Sequence, residues 1–287
     1  MNGEDFPALY RSADQLSLNS QKHFFLALGG HLTLLVVAAT LSVLNFPLWQ
    51  IPALQLLVML GALSCSIYLL SKRPDRYWYA ARAVAESIKT ITWRYVCRAE
   101  PFSADDATSK NEFHQKLRAI VEQNRDVSGQ LTDHLGLPQI TTTMATLRAQ
   151  PLDKRRAVYL SDRIVDQLDW YARKARFNRR QSSLFFWVLV AANSVAVVLS
   201  AIRIPFAGTN YWPTDIFIAI AASLLTWMQA KRFSELATAY SLAAHEIGFV
   251  RMQISEADTD LEFSAFVGDA ENAFSREHTQ WIARQDT

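Results

Sequence analysis

Charge and apolar character are segregated along this chain rather than interleaved. Four stretches are nearly free of charge: Phe24–Leu44, Ile51–Leu70, Leu184–Ile202 and Trp212–Met228, the last reaching to about residue 230. The residues around them are dense in Arg, Lys, Asp and Glu. A soluble domain alternates the two kinds of position at helical or strand spacing, so blocks of this length point to lipid as the solvent. As a helix, the first run is about 30 Å long, the thickness of a bilayer's hydrocarbon core. It is too long for the h-region of a signal peptide, and the acidic residues in Asn2–Gln21 do not suit an n-region. The fourth run is the least clean, because Asp215 lies near its start. The pattern predicts an all-α integral membrane protein, with four transmembrane helices in two repeated hairpins and long cytoplasmic helical extensions.

The flanking charges orient the hairpins. Asn45–Gln50 carries no charge and the connection from Arg203 to Tyr211 one arginine. The opposite flanks hold Lys22; Lys72, Arg73 and Arg76; Arg173, Lys174, Arg176, Arg179 and Arg180; and Lys231 and Arg232. Positive residues stay on the cytoplasmic side, so both termini and residues 71–183 are expected there. Trp49, Trp187, Tyr211, Trp212 and Trp227 lie near span ends, as interfacial aromatics do.

The two halves echo each other at an offset of about 161 residues: Tyr10 and Tyr171, Phe24-Phe25 and Phe185-Phe186, Pro52 and Pro213. Past the spans the offset slips by one, and Ala85-Glu86 falls opposite His245-Glu246. The reading is a first two-span repeat over 1–98, a cytoplasmic helical connector over 99–168, a second repeat over 169–256 and a C-terminal helix and tail over 257–287. A helix over 76–98 is expected to continue from the second span, with Ala80, Val84, Ser87, Ile88 and Ile91 as its apolar stripe and Arg82, Glu86, Lys89 and Trp93 on the adjacent face. Residues 230–256 repeat that design. A short amphipathic helix over 111–126, a loop over 129–138, a helix from Pro151 running into the third span, and a helical tail from about Asp260 make up the remainder.

Several positions in these helices are candidates for function. Glu86 and Glu246 occupy matching repeat positions; Glu86 either pairs with Arg82 one turn away or takes part in a contact between repeats or subunits. His31 lies inside the first span, where a titratable group either lines a path and gates it or bonds a neighbouring helix. Asn193 and Ser194 sit midway along the third span, and either pack or face water. Gly29 with Thr33, Ala192 with Ala196 and Ser200, and Ala219 with Ser223 are small residues one turn apart, spacing that permits close helix approach.

Overall composition adds little, with half the residues apolar and a net charge of +2. No basic stripe interleaved with aromatics marks a nucleic-acid surface. Cys65 and Cys97 have no partner at metal-ligand spacing. P-loop, H-E-x-x-H, G-x-S-x-G and C-x-x-C motifs are absent, so neither an enzyme nor a cofactor is expected. Midplane carboxylate chains and broken helices, the marks of coupled transport, are missing as well.

The segment Ser71–Tyr95, with its run Arg-Tyr-Trp-Tyr-Ala-Ala-Arg-Ala-Val-Ala-Glu-Ser-Ile-Lys, resembles the segment after the second span in SLATT-domain proteins, the SMODS and SLOG-associating two-transmembrane effectors. Tyr171-Ala-Arg-Lys-Ala-Arg-Phe-Asn-Arg-Arg resembles the approach to a second copy. The resemblance implies an effector of the bacterial inner membrane that forms pores in defence or cell suicide, with a nucleotide-signalling or sensor protein as partner. No nucleotide sensor is recognisable beside the spans of this chain. Four helices each about 10 Å across enclose no water path, so conduction would require a homo-oligomer in the bilayer, gated from the cytoplasm. A non-conducting membrane scaffold that recruits a cytoplasmic partner is the alternative.

Overall fold

The structure, a computed structural model, describes residues 1–44, 48–206 and 212–283. Three expectations fall partly outside them: the uncharged connection Asn45–Gln50 at 45–47, the connection from Arg203 to Tyr211 at 207–211, and the tail at 284–287. Among the described residues the chain is all-α, without strands. It divides into two units. One holds residues 22–74 and 173–240, and the other residues 1–21, 75–172 and 241–287. Helices α1 (Ala8–Val43), α8 (Asp166–Arg203) and α10 (Phe233–Gln253) contribute residues to both.

The apolar unit contains the charge-free parts of α1 and α8, with α2 (Gln50–Lys72) and α9 (Thr214–Lys231). Among the described residues, three helical stretches are long and apolar enough to cross a membrane: Ala8–Val43, Gln50–Val96 and Leu152–Phe206. Only 6–11% of the most apolar window of each is buried. Leu56, Leu57, Leu63, Leu70, Trp187, Val197 and Val198 are all exposed. Apolar area on this scale needs a cover of lipid or another protein surface. The fourth run is helical as expected, but α9 has 18 residues, with Asp215 in its first turn and Lys231 in its last, and is not among the three.

Small residues bring these helices together. Ala38, Ala62, Ala192, Ala196 and Ala221 are buried. A Cβ added to Gly61 would meet Leu34 Cδ1 at 3.3 Å, and one on Gly29 would touch the Trp227 ring at 3.6 Å. Phe25 packs edge-on to Trp227, and the Lys231 ammonium stands 3.2 Å from the centroid of the Phe25 ring. This cation–π contact ties the first hairpin to the second.

The duplication is visible in the backbone. Helix α2 ends at Lys72 with Arg73 in the left-handed region (φ 43°), its N–H donating to the Leu69 carbonyl. Helix α9 ends at Lys231 with Arg232 likewise left-handed (φ 50°), its N–H donating to the Met228 carbonyl. Both are αL terminations, here filled by arginine where glycine is usual. The helix expected to run on from the second span is therefore interrupted: α3 (Pro74–Val96) starts anew with proline at its first position, where a missing N–H costs nothing. Helix α10 (Phe233–Gln253) likewise starts anew, directly after Arg232.

The polar unit is built around α3. Ala81, Val84, Ala85, Ile88 and Thr92 form its buried face. The stripe differs from the expected one: Ser87 is exposed, and Trp93, expected on the polar face, is 1% exposed in the core. Trp93 meets Phe6 and Tyr159 edge-on, and Tyr159 meets Phe263 and Phe266. Trp93, Tyr159 and Phe263, fully buried, each contribute on the order of 2–3 kcal/mol. Helix α4 (Asp106–Gln123) begins earlier than expected because Asp105 caps it, accepting from the Ala107 and Thr108 N–H groups. The short helices α5 (Arg125–Ser128), α6 (Thr142–Arg148) and α7 (Leu152–Tyr159) come next, with the expected loop between α5 and α6. Helix α11 (Asp260–Ala283) starts on a capping box: Thr259 Oγ1 accepts from the Glu262 N–H while the Glu262 carboxylate accepts from Thr259 N–H. The helix from Pro151 does lead into α8, but through a π-helical segment, Leu160–Val165.

Candidate functional site

Among the described residues of the polar unit three arginines are buried, and they are satisfied differently. Arg148 donates to the carbonyls of Tyr95, Phe102 and Ala104 and to the Asp106 carboxylate. Arg155 donates to the carbonyls of Gln150 and Cys97 and pairs with Asp260. Both carboxylates are largely exposed, so these arginines act as ties on loop carbonyls, with their counter-charges in water. Arg163 is the exception, because its partner is buried too.

Arg163 and Glu271 are 1% and 0% exposed as side chains. The guanidinium grips the carboxylate with two bonds, Nε to Oε1 at 2.8 Å and Nη2 to Oε2 at 2.7 Å. Tyr159 Oη donates to Oε1 at 3.0 Å, and the guanidinium lies 4.6 Å from the centroid of the Phe274 ring. Nη1 has no hydrogen-bond partner. Burial alone would weaken the charge on Arg163, but Glu271 reverses that and raises its pKa. Burial, reinforced by the Glu271 charge, holds the Tyr159 phenol well above its ordinary range. The π-helical segment supplies Arg163 itself. Such a turn inserts one residue into the helical register and rephases α8 against α7; π turns recur at functional sites.

This pair is one end of a longer network. Lys89, half-buried on α3, lies within electrostatic reach of Glu86, Arg163, Arg82 and Glu271. Its ammonium is depressed, chiefly by desolvation. Arg82 makes the i,i+4 pair with Glu86 at 2.6 Å and reaches Asp14 on α1 at 3.4 Å. Tyr10 and Tyr171, matched by the repeat in sequence, both act on Arg82 electrostatically. The cations Arg82, Lys89 and Arg163 thus balance the carboxylates Asp14, Glu86 and Glu271, drawn from α1, α3, the π segment and α11. A buried network of this kind, with Arg163 Nη1 left unbonded, is sensitive to any change in its members.

The other predicted positions are spread over both units. Glu246 is exposed on α10, away from burial. His31 Nδ1 lies 3.0 Å from the Ala62 carbonyl oxygen and 3.3 Å from Ser66 Oγ. The carbonyl contact requires the proton on Nδ1, which makes a cross-link between α1 and α2. Asn193 and Ser194 are exposed on α8, with Asn193 Nδ2 donating to the Leu189 carbonyl at 2.9 Å. Thr33 and Ser200 donate to carbonyls one turn back, while Ala219 and Ser223 are half-buried on α9. Sequence reasoning names Arg82, Glu86 and Lys89 but misses Tyr159, Arg163 and Glu271. One signal is present: Arg148, Arg155 and Arg163 recur at about two-turn spacing. Among the described residues no group of His, Cys, Asp and Glu could hold a metal ion.

The class these features define is an all-α protein of two tandem helical repeats, with helices able to cross a membrane. Residues 7–156 match the model of SMODS and SLOG-associating 2TM effector domain 3, and residues 159–281 that of SMODS and SLOG-associating 2TM effector domain 1. The chain belongs to this SLATT family, as two SLATT domains in tandem, which makes it a membrane-associated effector of the kind found in conflict systems. No curated protein and no solved structure matches it. The buried network joins the two matched domains, since Arg82, Glu86 and Lys89 belong to the first and Arg163 and Glu271 to the second.

Proposed function

We propose that this protein is an oligomeric pore or ion channel of the bacterial inner membrane, gated from the cytoplasm and used in defence or cell-suicide responses. The observation that carries the reading is the exposure of Asn193 and Ser194 within the charge-free run of α8. An amide turned to acyl chains is costly, so this face meets water or another copy of the chain. A single four-helix unit encloses no aqueous path, which makes the conducting form a homo-oligomer. In this reading α9 is a fourth span, both termini are cytoplasmic, and the effector acts without catalysis or cofactor.

Gating falls to α1 and α8, two of the helices with residues in both units. The charge network grips α1 at Asp14 and the segment leading into α8 at Arg163. A signal from a nucleotide-signalling partner that loosens it would free both helices to shift. A second reading, a non-conducting scaffold for a cytoplasmic partner, is favoured by Leu135 and Leu137, apolar side chains exposed in the loop between α5 and α6.

Ion flux through proteoliposomes holding the full chain separates the two. The channel reading expects flux that rises when the network is loosened by Glu86→Gln, and conductance altered by Asn193→Leu. His31→Ala tests the first span in the same assay. A chain that passes no ions under any activating partner, with Glu86→Gln equally silent, leaves the scaffold reading in place.

A further inference from the structure

We infer that the apolar unit carries a binding site for the phosphate of an anionic phospholipid. It is a groove of about 480 Å³ between the end of α9 and the facing parts of α8 and α10, lined by Arg179, Ser182, Ser183 and Ser234 at its polar side and by Phe186 and Met228 at its apolar side. This inference rests on the reading of α8 and α9 as membrane spans.

Two independent features point to an acceptor-rich anion. Arg179 is exposed and has no carboxylate partner among the described residues. The hydroxyls of Ser182, Ser183 and Ser234 also have no hydrogen-bond partner there. Other hydroxyls on these helices are spent on their own backbone: Ser200, Thr226 and Thr238 each donate to the carbonyl four residues back. The groove therefore gathers one fixed positive charge and three uncommitted donors, and no acidic side chain lines it. The nearest carboxylate in sequence, Glu235, is already paired with Arg232. A phosphodiester, which only accepts, is the complement of such a wall.

Lipid rather than free phosphate is the source the surroundings fit. Arg179 and Arg180 are the last charges of α8 before its charge-free run from Leu184, and Phe186 and Met228 continue the groove onto that apolar surface. A headgroup in the polar half leaves its acyl chains along the apolar half. Basic pockets between helices at the cytoplasmic edge are where anionic headgroups bind.

Native mass spectrometry of the full-length protein in detergent, titrated with phosphatidylglycerol and with phosphatidylcholine, tests this. Retention of phosphatidylglycerol over phosphatidylcholine is expected, falling about tenfold in Arg179→Gln and in the Ser182→Ala/Ser183→Ala double variant. Arg176→Gln, a turn away and outside the groove, should leave it unchanged. Equal retention of both lipids, or an equal loss in Arg176→Gln, overturns the site. Displacement by soluble glycerol 3-phosphate at matched concentration overturns the lipid assignment. Reconstitution into bilayers of either lipid keeps the two claims apart: incorporation without headgroup preference sinks the site alone, and failure to incorporate into either sinks the membrane reading with it.

Discussion

Glu271→Ala strips the buried network of its innermost carboxylate. The substitution removes the bonds from Arg163 Nε and Nη2 and from Tyr159 Oη, and leaves a guanidinium that is 1% exposed without a counter-charge. One such bond to a charged group is worth about 1.5–3 kcal/mol, but the three share one carboxylate and do not add. Removing one partner of a buried pair costs about 3–5 kcal/mol, most of it the penalty on the charge left behind. At about 4 kcal/mol the opening equilibrium of α11 and of Leu160–Val165 shifts by nearly three orders of magnitude. Hydrogen–deuterium exchange of the full-length protein reads that shift locally, as lost amide protection in those two segments. The double variant Arg163→Met/Glu271→Leu replaces the pair by apolar side chains and should return protection to within about 1–2 kcal/mol of the parent. A loss below about 1 kcal/mol in Glu271→Ala, or a double variant no better than the single, refutes the assignment of this pair as the anchor of the unit.

Lys89→Met removes an ammonium whose desolvation outweighs the help of Glu86, and should raise stability by about 1 kcal/mol in chemical denaturation; a loss would mean the charge is satisfied. Burial holds the Cys97 thiol well above its ordinary 9.0, so above pH 9 the unfolded chain releases a proton that the folded chain keeps. Its contribution to stability is complete below pH 9 and declines above it, at up to about 1.4 kcal/mol per pH unit, and Cys97→Ala should flatten that slope. Parallel slopes for the two proteins would contradict this. Gly29→Ile drives a branched side chain into the Trp227 ring and should cost about 1–3 kcal/mol of thermal stability, with Gly3→Ala, which meets nothing, as the neutral control.

Most of the helical architecture is legible in the sequence because solvent writes it there. The charge-free runs are α1, α2, α8 and α9, and Asp260 does open α11. The features that escape a sequence reading depend on contacts distant along the chain. Arg163 and Glu271 are 108 residues apart, and no local pattern announces their pairing. In the sequence, charged neighbours phase Trp93 with the polar face of α3, yet it is buried against Phe6 and Tyr159, and Thr92 beside it is buried by returning its hydroxyl to the Ile88 carbonyl. The aromatic and polar helix that the repeat order places before the first span is the start of α1 at Ala8, which buries Ala13 and Ser17 in the polar unit. The interruption at Arg73 has one herald, Pro74, and that at Arg232 has none.

Those two left-handed arginines give the repeats unlike mechanics. A non-glycine residue in that region costs about 1–2 kcal/mol, which a continuous helix would recover. At residue 232 nothing forbids recovery, since Phe233 has an N–H to donate. At residue 73 the next residue is Pro74, which has no donor and clashes with the carbonyl four positions back, at a cost of about 3 kcal/mol. The first break of the duplicated pair is thus locked in by its sequence, while the second can close into one continuous helix through α9 and α10.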